Sequence, residues 1–129
     1  MASKGHSAQV KGKVFERLVA DTLKKKFGIE VRRTPSQERW KVRNQGDVNA
    51  MGESIVNRFH WEAKNHATVS IKEWYKKAKD DCGYSRIPVV VFRVPNTDMI
   101  LTTLSLDDLC KVILELDGYI KEEVKRNKQ

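Results

Sequence analysis

The run IPVVVFRV, Ile87 to Val94, constrains the fold most: it is apolar at every position but Arg93, too short for a core helix and without the alternation of a half-exposed strand. Such a run suits a strand covered on both faces, so the chain must place layers on either side of a sheet in which this strand is central. Pro95 and Asn96 then turn the chain, and Met99 to Thr103 reads as an edge strand.

Helices are available to supply those layers. From Ser7 to Phe27, the residues Phe15, Leu18, Val19, Thr22, Leu23 and Phe27 recur at spacings of three and four, and Gly28 is placed to end the helix. Ser70 precedes a second helix with Ile71, Trp74, Tyr75 and Ala78 as its buried stripe. Ser105 opens a third, whose seam of Leu106, Leu109, Ile113, Leu116 and Ile120 either covers the sheet or forms a subunit interface. Ile29–Thr34 and Asp47–Met51 read as strands; Gly52–Ser54 is a turn, and Ile55–Lys64 returns as a hairpin strand. The order α-β-β-β-α-β-β-α defines an α/β class with a mixed β-sheet flanked by helices. A chain of 129 residues holds one domain, residues 1–129, with flexible tails expected at 1–7 and 122–129.

Lysine and arginine number 25 against 17 aspartates and glutamates, a formal charge of +8 that favours a polyanionic partner. No segment offers the roughly 20 apolar residues of a membrane span, and the polar start MASKGHSAQ lacks the apolar stretch of a signal peptide, so a cytoplasmic site is expected. Cys82 and Cys110 lack paired metal-ligand spacing and are expected as buried free thiols.

The charges that matter are local. In the strand ending at Lys64, side chains alternate: Phe59, Trp61 and Ala63 face one way, His60, Glu62 and Lys64 the other. Asp47 begins the partner strand, so the hairpin can gather Asp47, Glu62 and Lys64. Two carboxylates and a lysine suit phosphodiester hydrolysis, which needs charge neutralised on phosphate and a water activated. Asp47, Glu62 and the Ala63 backbone carbonyl would hold Mg²⁺, with Mn²⁺ able to substitute, because Mg²⁺ takes oxygen ligands and keeps several waters. Lys64 would orient the water or stabilise transition-state charge. The plainer alternative is a solvated Glu-x-Lys ion pair beside a turn aspartate.

Basic residues flank this constellation. Arg32, Arg33, Arg39, Lys41 and Arg43 precede Asp47; Lys72, Lys76, Lys77 and Lys79 follow Lys64. Both groups suit phosphate contacts that position a duplex. Trp40 serves either base stacking or anchoring of its polar loop, Ser36 either a phosphate or metal-shell contact or the turn after Pro35. His60 is expected as a packed or exposed histidine rather than a ligand, His66 as a DNA contact, and Trp61 and Trp74 as core.

Gly46-Asp47-Val48 followed by Glu62-Ala63-Lys64 resembles the PD-(D/E)XK, or restriction-endonuclease-like, nuclease superfamily, with Gly46 where that superfamily carries proline. Within it, the small size, the helix bearing Gly12-Lys13-Val14-Phe15-Glu16 and the stretch Val31-Arg32-Arg33-Thr34-Pro35-Ser36 resemble the archaeal and phage Holliday junction resolvases. That resemblance implies a restriction-endonuclease-like core, a catalytic set of Glu16, Asp47, Glu62 and Lys64 with Glu16 directed at the metal site, branched DNA as substrate, and a homodimer. Rival readings are another nuclease of this superfamily and a non-catalytic basic DNA-binding protein.

Overall fold

A computed structural model describes residues 4–35 and 46–128. Helix α1 (Lys4–Phe27) is followed by β1 (Val31–Arg33), β2 (Val48–Ala50), a 3₁₀ turn (Ile55–Arg58) and β3 (Phe59–Lys64). Helix α2 (Ile71–Asp81), β4 (Ile87–Arg93), β5 (Ile100–Thr103) and helix α3 (Leu106–Lys128) complete the chain. The five strands form one mixed sheet in the order β1-β2-β3-β4-β5. Only the β3/β4 pair is parallel, joined through α2, while the other neighbours are antiparallel. The element order is the one read from the sequence. β4, however, lies beside the edge strand β5, and β3 occupies the middle.

β4 is buried from Ile87 through Phe92, as its composition requires. Val89 and Val91 pack with Phe15, Val19 and Ala20 of α1 and with Val31, Val48 and Ala63 of the sheet. Val90 and Phe92 turn to the other face, against Ala78 of α2 with Ile71, Trp74 and Tyr75 around it. Burying each such valine or phenylalanine contributes roughly 1.5–3 kcal/mol, so a charge at Val90 would open the α2 layer.

Several local expectations change. The buried line of α1 runs through Phe15, Glu16, Val19 and Ala20, whereas Leu18, Thr22 and Phe27 are exposed because the sheet covers a narrower arc than the sequence stripe suggests. Gly28, at φ +67°, donates its N–H to Lys24 O and ends the helix as expected. Residues 55–58 form a 3₁₀ turn rather than strand. Ser54 Oγ accepts from Val56 N–H, and the Asn57 side chain bonds Ala50 N–H, Ala50 O and Gly52 O, so side chains take the ladder's place. Ser70 precedes α2 without a side-chain capping bond, while Ser105 Oγ accepts from Asp108 N–H at α3.

Helix α3 continues to Lys128, through the stretch expected as a tail, and none of its residues is buried. Val112 leans on the core and Glu115 pairs with Arg58 at 2.7 Å, but the leucine and isoleucine seam stays exposed and does not cover the sheet. Cys82 is buried, but Cys110 is exposed on α3.

Candidate active site

The site begins with the backbone around Asp47. Asp47 N–H donates to Trp61 O at 2.7 Å and its carbonyl accepts from Thr34 N–H at 2.8 Å, so the residue is clamped between β1 and β3. Gly46 makes that approach sterically possible. Its φ is +67°, and a Cβ there would lie 2.7 Å from Trp61 O and 3.0 Å from Trp61 N. Proline, locked near φ −65°, cannot adopt this conformation, which explains glycine at the motif's first position. Asp47 Oδ2 then accepts from Ala63 N–H at 2.7 Å, which fixes the carboxylate beside the end of β3.

Glu62 reaches the site from the α2 side of the sheet. Only 2% exposed, it meets Lys77 Nζ at 2.8 Å and Lys64 Nζ at 3.3 Å through Oε1, and its Oε2 lies 3.7 Å from His60 Nε2. Burial works to raise its pKa. The neighbouring His60 ring, the hydrogen bond from Lys77 and the charges of Lys77 and Lys64 overcome that, holding it at about 2. Lys77 responds in the opposite sense: burial favours its neutral form, but Glu62, Asp47 and Asp81 raise its pKa above the ordinary lysine value. Both members of the pair are therefore charged at neutral pH.

Glu16 arrives from α1, buried to 8% exposure and paired with Arg33 Nε at 3.0 Å. Glu16, Asp47, Glu62, Ala63, Lys64 and Lys77 all line one cavity of about 280 Å³ with Lys11, Asn65 and His66 at its rim. The expected catalytic set is thus gathered in one place, where the α1 layer, the β2–β3 hairpin and α2 meet. Burial, followed by the charges of Lys64 and Lys11, lowers the His66 pKa, so this exposed ring is neutral at neutral pH. It also packs 5.4 Å from the Trp74 ring. Trp61 and Trp74 pack against the two core clusters as expected.

The donors define what the cavity can hold. Among the described residues, no group of three or more His, Cys, Asp or Glu side chains converges to bind an ion alone. Asp47 and Glu62 offer hard oxygens, and among the described residues no thiol lines the cavity, which suits a cation that keeps several waters. Glu16, paired with Arg33, lines the same cavity, and among the described residues the three carboxylates do not close into a cage.

The flanking bases divide. Arg32, Lys72, Lys76 and Lys79 are exposed and line no part of this cavity, and Arg33 is committed to Glu16. Ser36, Arg39, Trp40, Lys41 and Arg43 lie outside the described residues. Lys11 and Asn65 escaped the sequence reading, and Lys77 was grouped with the phosphate-binding lysines. Lys77 sits three positions after Trp74 and beside buried Ala78, but Lys72 and Lys79 flank the α2 stripe as closely, so no sequence signal singles it out.

A mixed sheet flanked by helices, with Asp47, Glu62 and Lys64 at one end, defines a restriction-endonuclease-like fold of the PD-(D/E)XK nuclease superfamily. Within that class, the chain belongs to the family described as phage putative PDDEXK endonuclease, whose model matches residues 7–128. Nucleases of this superfamily generally use divalent metal ions. Comparison with curated proteins and with solved structures finds no match.

Proposed function

We propose that the protein is a Mg²⁺-dependent endodeoxyribonuclease that hydrolyses phosphodiester bonds in branched DNA, with four-way junctions as its preferred substrate. The observation that carries the reading is the buried, ionised Glu62 sharing a cavity with Asp47 and two lysine ammonium groups. A solvated ion pair does not explain it, because surface pairs are not sunk to 2% exposure beside a second buried carboxylate.

Asp47, Glu62 and the Ala63 carbonyl hold the cation, with Glu16 acting indirectly through the surrounding charge. A bound Mg²⁺, or Mn²⁺ in its place, supplies an activated water and neutralises charge on the scissile phosphate. Lys64, at the strand end, orients that water or meets the charge developing on phosphate. Arg32, Lys72, Lys76 and Lys79 grip the backbone of the duplex, as do Arg39, Lys41 and Arg43, while Ser36 and Trp40 contact the same strand region.

Preference for junctions rests on the likeness of the Gly12–Glu16 helix and the Val31–Ser36 stretch to junction resolvases. A junction is two-fold symmetric, so its resolution calls for two sites in a homodimer. The protein would act in the cytoplasm of the phage's host; no helix among the described residues is long and apolar enough to cross a membrane.

The test is a substrate panel: four-way junction, flap, linear duplex and single strand, each end-labelled, with Mg²⁺. Symmetric cuts confined to the junction are expected. Cutting set by base sequence or confined to the flap would replace the resolvase reading with another nuclease of the family. DNA binding without any product in Mg²⁺ or Mn²⁺ would make the protein a non-catalytic binder.

A further inference from the structure

Helix α3 carries two faces with different duties. Asp108, Val112 and Glu115 turn toward the body, Val112 against the core and Glu115 to Arg58. At 100° per residue the centre of the leucine and isoleucine seam lies about 110° further round. There Leu106, Ile113, Leu116 and Ile120 are 74%, 54%, 58% and 54% exposed, and Leu109 and Val124 are also open. The seam positions Leu106, Leu109, Ile113, Leu116 and Ile120 follow strict 3-4-3-4 spacing, a repeat by which one helix can pack along another, and their exposure shows that this line is not spent on the sheet. A helix of 23 residues is about 34 Å long, so this apolar line runs most of the way along it.

The charges say which helix fits. From Leu106 to Asp117, Asp107, Asp108, Glu115 and Asp117 outnumber Lys111; from Gly118 to Lys128, Lys121, Lys125, Arg126 and Lys128 outnumber Glu122 and Glu123. α3 is therefore acidic at its start and basic at its end, which makes it complementary to itself when reversed. Laid antiparallel, with Ile113 across from the partner's Leu116 and Leu109 across from the partner's Ile120, the acidic first turn reaches the level of the partner's Lys121 and Lys125. A parallel pair would set acid against acid and base against base.

From this geometry we infer that α3 is a dimerisation helix, packing antiparallel about a two-fold axis on α3 of a second copy. The inference stands on α3 alone and survives if the nuclease reading fails. If both hold, the interface supplies the paired sites that a symmetric substrate needs.

Sedimentation of the full chain at micromolar concentration tests it. The parent and Leu114→Lys, an equally exposed position off the seam, are expected to sediment as dimers. Ile113→Glu with Leu116→Glu should weaken association by about 100-fold or more, with unchanged circular dichroism because neither side chain is buried in the monomer. Leu109→Cys with Ile120→Cys should form an intermolecular disulfide, while Leu109→Cys alone should not. A monomeric parent, a double glutamate variant that still dimerises, or crosslinking through Leu109→Cys alone would overturn the inference. Asp47→Asn should remain dimeric, so loss of cleavage and loss of association are read separately.

Discussion

Lys77 Nζ lies 2.8 Å from Glu62 Oε1, so a lysine on α2 supplies charge that keeps a deeply buried carboxylate ionised on β3. A carboxyl whose folded pKa lies below its unfolded value contributes stability above the unfolded pKa and loses it as pH falls through the folded one. For Glu62 that window runs from 4.5 down to about 2. In metal-free protein, the gap between the urea midpoints of the parent and Glu62→Gln should therefore be constant near neutral pH and narrow below 4.5. A gap that persists unchanged towards pH 2 would contradict the ion-paired Glu62.

The same contact sets Lys77 in competition with a cation for Glu62. Lys77→Met leaves Lys64 and His60 beside the carboxylate, and a divalent ion should then bind several-fold more tightly. Calorimetric titration of Mn²⁺ into both proteins measures this; weaker binding in the variant would show that Lys77 assists the cation site.

Gly46 and Gly28 both have φ near +67°, but only at Gly46 does a Cβ collide with backbone. Gly28→Ala should cost about 1 kcal/mol, the conformational penalty alone. Gly46→Ala should cost more, about 1–3 kcal/mol on top of that, and should also depress cleavage because Asp47 shifts with the strand. Equal costs in urea melts would mean that the close approach to Trp61 does not constrain the site.

Asp47 has a structural duty besides its proposed catalytic one. Asp47→Ala strands the buried Ala63 N–H at a cost of about 1–3 kcal/mol, while Asp47→Asn keeps a carbonyl acceptor and should be closer to parental stability. Thermal melts of the two variants distinguish them; an alanine variant as stable as the asparagine one would remove the Ala63 bond from the account.

How much of this was legible in the sequence depended on periodicity. The period-2 alternation of β3 separated His60 and Glu62 from Trp61 and Ala63; the structure keeps that division and adds which helix each set meets, Trp61 and Ala63 in the α1 core and Glu62 at Lys77 of α2. The unbroken run of β4 required two covering layers and has them. Hydrophobic pattern could not reveal that Asn57 would replace a strand with a 3₁₀ turn, since that depends on side-chain hydrogen bonds to Ala50 and Gly52. It also gave no means of telling whether the α3 seam covers the sheet, because a helix packed on a sheet and one packed on another helix share the same spacing. Lys77 was hidden among other lysines of α2, since only the crossing of α2 over β3 decides which of them reaches Glu62.

The most direct test of the account is cleavage of a labelled four-way junction by the parent, Asp47→Asn and Lys64→Ala, each in Mg²⁺ and in EDTA. The parent should cut in Mg²⁺ and not in EDTA, and either substitution should slow cutting by about 100-fold or more while the protein still binds the junction. Cutting that persists in EDTA, or variants that cut as fast as the parent, would contradict a metal-dependent centre built on Asp47, Glu62 and Lys64.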